Sequence, residues 1–172
     1  RERIGSYILA GHSMGGAVAL EHYKHHRDKI EALILISTAP KLPVTQEMVD
    51  RSIEDINGFF DEILSLIFVK KAGIFILAAK KSIAEEEKLA VTDDLKICMG
   101  MDYSLILESI DKPVLILANR HDRMVPAEMT IQMHEKIRNS RLVLFDHKGH
   151  IPFFEESEEF NASVSEFIES LQ

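Results

Sequence analysis

The sequence predicts an α/β fold, a mostly parallel sheet with helices on both faces and an inserted run of helices. Three observations predict it. Residues 6–11 and 32–38 are nearly continuous apolar runs of strand length with a helical pattern between them; such runs mark strands buried on both faces. Strand, helix and strand within about thirty residues make a βαβ unit, which implies parallel pairing with a right-handed crossover. Two further apolar strands, 113–119 and 141–146, enclose another helical pattern, whereas the interval 41–110 has no convincing strand and reads as helices only. The domain plan is therefore a core of 1–40 and 111–172 and a helical cap of 41–110 laid over the strand ends.

Each element has a local reason. The helix over 14–26 carries Ala17 and Leu20 toward the sheet and ends in His22, His25 and His26, which share one face. No H-E-x-x-H is present and no acidic ligand stands with them, so they read as helix-end histidines rather than a zinc site. The helix over 126–138 opens on Pro126, suited to a first turn, and repeats Met129, Met133 and Ile137 on one face. The last helix presents Phe160, Val164, Phe167, Ile168 and Leu171 as a stripe for docking on the sheet. Within the cap, helical patterns cover 46–56, 59–69, 73–87 and 93–101, with Thr92 before Asp93 and Asp94 as the N-cap of the last. Phe59, Phe60, Ile67, Phe68, Ile74, Phe75, Ile76 and Met99 either line an apolar pocket beneath the cap or form the cap's own small core.

Composition bounds the function. The chain of 172 residues is 46% hydrophobic and 28% charged, which is ordinary for a soluble domain with a substantial core. With 20 basic against 28 acidic residues, the net charge of -8 and the lack of a basic stripe exclude a nucleic-acid partner. The longest apolar run, 63–79, is broken by Lys70 and Lys71, so no membrane span is expected. A lone Cys98 supports no intrachain disulfide and fits a reducing, cytoplasmic location.

The chemistry is carried by three stretches. Residues 7–16 run from the first strand through Gly11-His12-Ser13-Met14-Gly15 into a helix. A serine at such a bend projects its hydroxyl beside a helix N-terminus, and Gly11 and Gly15 are expected where strand and helix pass closely. Alone, the motif is also what a glycine-rich turn after a buried strand looks like. Asn119-Arg120-His121-Asp122 follows the third strand, and His147-Lys148-Gly149-His150 follows the fourth. Asp122 by itself reads more often as a helix cap or a salt-bridge partner, and His150 by itself is uninformative. Together, Ser13, Asp122 and His150 stand in the order Ser…Asp…His, each just past a strand and so on one edge of the sheet.

G-H-S-M-G-G, D-R-M-V-P and G-H-I-P-F-F-E resemble the nucleophile elbow, acid loop and histidine loop of the α/β-hydrolase superfamily, and the insertion falls where that superfamily carries its cap. The resemblance implies Ser13 as nucleophile, His150 as general base and then acid, Asp122 as the residue orienting the imidazole, and the Met14 N–H as an oxyanion donor, with Gly11, His12 and Gly15 forming the elbow. It selects His150 over His147, and Asp122 over Asp146. It implies acyl transfer to water: hydrolysis of an ester, lactone or thioester of a small to medium apolar acyl compound, with no metal or organic cofactor. The alternatives within the resemblance are cleavage of a carbon–carbon bond beside a ketone, and a non-catalytic relative that only binds. Superfamily members also carry strands before the elbow and a second oxyanion donor in their loop, and no such stretch precedes Ser13 here. The expectation is a C-terminal portion, weak or inactive alone, that self-associates through the exposed edge of the nucleophile strand.

Overall fold

A computed structural model describes residues 5–68, 85–146 and 149–171 of the chain. Its elements in order are β1 (Tyr7–His12), α1 (Met14–His26), β2 (Ile30–Ile36), α2 (Gln46–Glu54), α3 (Ile56–Ile67), α4 (Glu85–Gly100), a 3-10 turn (Leu107–Ser109), β3 (Val114–Asn119), α5 (Ala127–Lys136), β4 (Ser140–Phe145), α6 (Pro152–Glu155) and α7 (Ser157–Glu169). The four strands form one sheet in the order β1-β2-β3-β4, and every pair is parallel. Parallel pairing brings the carboxyl ends of all four strands to one edge, where the three loops of interest begin.

Alternation along the central strands divides the core in two. Leu33, Leu35 and Ile116 face a cluster with Ala17, Leu20 and Tyr23 of α1 and with Met133 and Ile137 from α5 and its end. Ala32, Ile34, Ile36, Leu115 and Leu117 face the opposite cluster with Phe145 and Phe167, joined by the half-buried Phe160 and Val164 of the last helix and by Leu171 just after it. Every residue of β3 is buried, as a strand covered on both faces requires. Ile168 is the exception to the expected stripe: it is exposed, because it lies beyond the arc of α7 that meets the sheet.

The helices between β2 and β3 pack on one another, α2 against both α3 and α4, and α3 against α4. Two caps explain their starts. Thr45 accepts a hydrogen bond from the Met48 N–H at 3.3 Å, and Asp55 accepts one from Gly58 at 2.9 Å, so Asp55 ends one helix and begins the next. The expected N-cap at Thr92 is not one. It lies inside α4, which starts at Glu85, and its hydroxyl donates to Ser52 Oγ at 3.0 Å, tying α4 to α2. Most of the helical pattern at 73–87, including Ile74, Phe75 and Ile76, lies outside the described residues.

The histidines at the end of α1 are engaged locally. His25 Nε2 lies 3.0 Å from Glu21 Oε1, so an acidic group does stand with them, one turn earlier. His22 Nε2 lies 2.6 Å from the Tyr7 hydroxyl. Among the described residues no helix is long and apolar enough to cross a membrane.

The close passage of β1 and α1 is where backbone space decides the sequence. A Cβ at Gly11 would press into the Gly15 carbonyl and stand 2.7 Å from the Gly16 nitrogen, so glycine is required there. The expectation for Gly15 is corrected: a Cβ on it would meet nothing within 4 Å. The second position without room is Gly16, where a Cβ would fall 2.5 Å from the Thr38 methyl carbon. Gly11→Ala should therefore lower stability by about 1–3 kcal/mol, the usual cost of overpacking. Gly15→Ala should be neutral or stabilising by up to about 1 kcal/mol, since alanine favours helix over glycine. Urea unfolding followed by circular dichroism separates the two, and equal losses at both positions would contradict this account.

Candidate active site

Ser13 sits between β1 and α1 with φ 52° and ψ -122°, a left-handed backbone that L side chains rarely adopt. The sheet holds it there: Ser13 N–H donates to the Ile36 carbonyl at 2.9 Å, one step beyond the last register pair of β1 and β2. Thr38 Oγ1 donates to the Ser13 carbonyl at 2.8 Å, and Thr130 Oγ1 donates to the Thr38 carbonyl at 3.1 Å. Thr38 and Thr130 are fully buried, and they link the elbow to α5. Ser37, at the matching turn after β2, also has a positive φ of 43°.

Asp122 and His150 meet as a pair. His150 Nδ1 lies 2.7 Å from Asp122 Oδ2, and the two side chains are only 3% and 0% exposed. A carboxylate oxygen accepts, so Nδ1 carries the proton and Nε2 is left as an acceptor. The other oxygen, Asp122 Oδ1, accepts from the N–H groups of Met124 at 2.8 Å and Val125 at 3.1 Å. Asp122 thus organises the turn into α5 as well as the imidazole. Asp122 is therefore a histidine partner and not a helix cap: the N-cap position of α5 is Pro126, and the carboxylate closes the turn before it.

The histidine loop is held from three further directions. The His150 N–H donates to the Ile67 carbonyl at the end of α3 at 3.0 Å. His12 Nε2 donates to the His150 carbonyl at 2.9 Å, with the two rings 4.7 Å apart. Asn119, fully buried at the end of β3, donates from Nδ2 to the Gly149 carbonyl at 2.6 Å. Asn119, Thr38 and Thr130 were not singled out from sequence; the signal for Asn119 was an amide closing an otherwise apolar buried strand. Burial pushes the His12 imidazole below its ordinary 6.5, partly opposed by the hydrogen bond to the His150 carbonyl.

His150 Nε2 is buried and has no hydrogen-bond partner among the described residues. The elements therefore join Asp122 to His150 and bring Ser13 to the same edge, without a hydrogen bond from Ser13 Oγ to the imidazole. Such contacts are commonly long before a substrate is bound. Met14 is the first residue of α1, where helix geometry leaves the N–H without an intrahelical acceptor. Asp146 is exposed and lies 3.7 Å from Arg120 and 3.4 Å from His121, away from the pair. His147 lies outside the described residues.

Ser13 and Met14 open onto a cavity of about 380 Å³, lined on the core side also by Met124 and Val125. Its opposite wall comes from the insertion: Met48 of α2, Phe59, Phe60, Ile63, Leu64 and Ile67 of α3, and Val91, Asp94, Leu95 and Cys98 of α4. Of the aromatic and aliphatic residues expected there, Phe59, Phe60 and Ile67 line it. Phe68 instead packs edge-on against Phe154 at 5.9 Å, and Met99 is exposed. Cys98 is buried and free, as expected, and it also reaches the cavity wall.

The model of the Alpha/beta hydrolase family matches residues 1–163. Among curated proteins, the chain is 29% identical to the AB hydrolase superfamily protein YisY of Bacillus subtilis, covering 95% of this chain and 66% of that protein. It is 27% identical to a pimeloyl-[acyl-carrier protein] methyl ester esterase of Neisseria meningitidis, covering 94% and 68%. Among solved structures, a thermophilic esterase superposes with a TM-score of 0.86 at 26% identity, covering 97% of this chain and 67% of that one. The enol-lactonase of Burkholderia xenovorans superposes with a TM-score of 0.87 at 20% identity, covering 96% and 66%, a likeness of fold. The chain spans about two thirds of the length of the relatives it matches. A family model over residues 1–163, a wholly parallel sheet and a serine turn at its carboxyl edge agree: the chain belongs to the alpha/beta hydrolase family.

Proposed function

We propose that this chain carries the site of a serine hydrolase that cleaves an ester, lactone or thioester of a small to medium apolar acyl compound. The observation that carries the reading is the buried Asp122–His150 pair, whose free Nε2 is left at the sheet edge that also presents Ser13. In this reading Ser13 Oγ attacks the acyl carbon while His150 Nε2 takes its proton. Asp122 keeps the imidazole in the tautomer that can accept, and stabilises its charged form. The Met14 N–H, at the positive end of α1, faces the oxyanion. His150 then returns the proton to the leaving oxygen or sulfur, and water, deprotonated by the same nitrogen, releases the acid from Ser13.

The insertion 41–110 serves as a cap in this reading. It supplies an apolar wall of the cavity, and through Ile67 it also holds the backbone of the catalytic histidine. A cavity of about 380 Å³ suits a small or medium acyl group. The names of the relatives support ester hydrolysis: one is a methyl ester esterase and another an esterase of known structure.

Treatment with a fluorophosphonate should add one phosphonyl group to the folded chain, read by intact mass. Ser13→Ala should abolish it and reduce hydrolysis of a short p-nitrophenyl ester by at least about a thousandfold. A folded Ser13→Ala variant that labels as well as the parent would sink the hydrolytic reading in favour of a binding protein.

A second expectation concerns pH. His12 is held below 6.5 in the folded chain, so the unfolded chain binds more protons as pH falls through that value. Stability must then fall as pH drops below about 6.5 toward the lower folded pKa. His12→Gln should flatten the dependence of the urea midpoint between about pH 7 and pH 5. An unchanged slope would show that His12 is not the group responsible.

A further inference from the structure

Among the described residues, the cavity beside Ser13 has apolar walls with one charged residue, Asp94. Its neighbours on α4 are engaged elsewhere: Asp93 is paired with Lys96 at 3.0 Å, and Thr92 with Ser52 at 3.0 Å. Asp94 has no hydrogen bond or ion pair among the described residues, and it is half-buried. A carboxylate on an apolar wall without a partner is a place where a ligand group can be recognised, since burial without compensation is costly. One helical turn further on, Cys98 also lines the cavity. Burial chiefly, and then the Asp94 charge, push its thiol up, so the field of this carboxylate reaches into the cavity.

We propose that Asp94 sets the charge selectivity of the cavity: the part of the substrate lying under α4 carries a hydrogen-bond donor, in its strongest form an ammonium, and a carboxylate there is rejected. The inference rests on the reading that this cavity is the substrate site. It adds a polar criterion to an apolar wall, the arrangement by which a largely hydrophobic pocket fixes orientation and discriminates. Among the described lining residues, Asp94 is the one whose charge separates alkyl chains of the same length with different ends.

The test is a ligand-observed NMR titration of the chain with hexylammonium, hexanol and hexanoate at pH 7. Hexylammonium should bind at least about tenfold more tightly than hexanoate, as expected for a charge pair in a partly solvated site. Asp94→Asn should reduce that ratio to below about twofold while hexanol affinity stays within about twofold. Asp93→Asn removes the same net charge from the exposed side of α4 and should leave the ratio intact, which separates the local carboxylate from the overall charge of -8. Equal affinities for the three ligands, no binding of any, or the same change in both variants would overturn the inference. The readout needs no turnover. Discrimination together with a Ser13→Ala variant that labels as well as the parent would sink the hydrolytic reading alone, and a label specific to Ser13 without discrimination would sink this inference alone.

Discussion

The structure depends on how closely helix α1 passes strand β1 at Ser13. The serine backbone takes a left-handed conformation that costs of the order of 1–3 kcal/mol in isolation. It is kept there because the surroundings leave no other path. The Ile36 carbonyl takes its N–H, the Thr38 hydroxyl takes its carbonyl, and the absence of a Cβ at Gly11 and Gly16 lets the helix lie against β1 and Thr38. Because Thr38 is itself bonded to Thr130 of α5, the elbow is braced by the neighbouring strand end and by the helix after β3. The same geometry leaves Ser13 on the cavity wall.

The histidine loop shows how a loop becomes a precise support. Four hydrogen bonds converge on Gly149 and His150, from Asn119 at the end of β3, from Asp122 after it, from His12 at the end of β1 and from Ile67 at the end of α3. Each donor or acceptor belongs to a different local feature, so the imidazole position reports on the packing of the whole sheet edge. In the proposed reading the contact with Ile67 has a functional consequence. It couples the insertion that walls the cavity to the residue that would move the proton, so the substrate-facing helices and the chemistry share one backbone hydrogen bond.

Much of this was legible in the sequence because parallel strands announce themselves as apolar runs and their carboxyl ends must share an edge. All four expected strands form, and Asp122 and His150 meet as their order and positions imply. What was not legible depends on tertiary neighbours. Nothing in G-x-S-x-G says that the second glycine is free of contact while the third, Gly16, abuts Thr38. Thr92 before two acids looks like a cap, yet α4 runs through it because Ser52 on α2 takes its hydroxyl as a partner. Asn119 ends an apolar strand, where an amide is informative only once Gly149 is known to lie above it.

The insertion was the least readable part, and the cavity shows why. A helix packed on helices and a helix facing a ligand both need an apolar stripe, so periodicity cannot tell Phe59, which lines the cavity, from Phe68, which rests on Phe154. Polar residues break that ambiguity. An aspartate on an exposed face pairs with a lysine, as Asp93 does with Lys96, but an unpaired aspartate on an apolar wall has no structural partner to account for it. The adjacent pair Asp93 and Asp94 reads as one acidic helix start in the sequence and divides in space into a surface ion pair and a cavity carboxylate. In the proposed reading the serine turn and the histidine pair carry the acyl transfer, whereas the wall that contains Asp94 decides what the cavity admits.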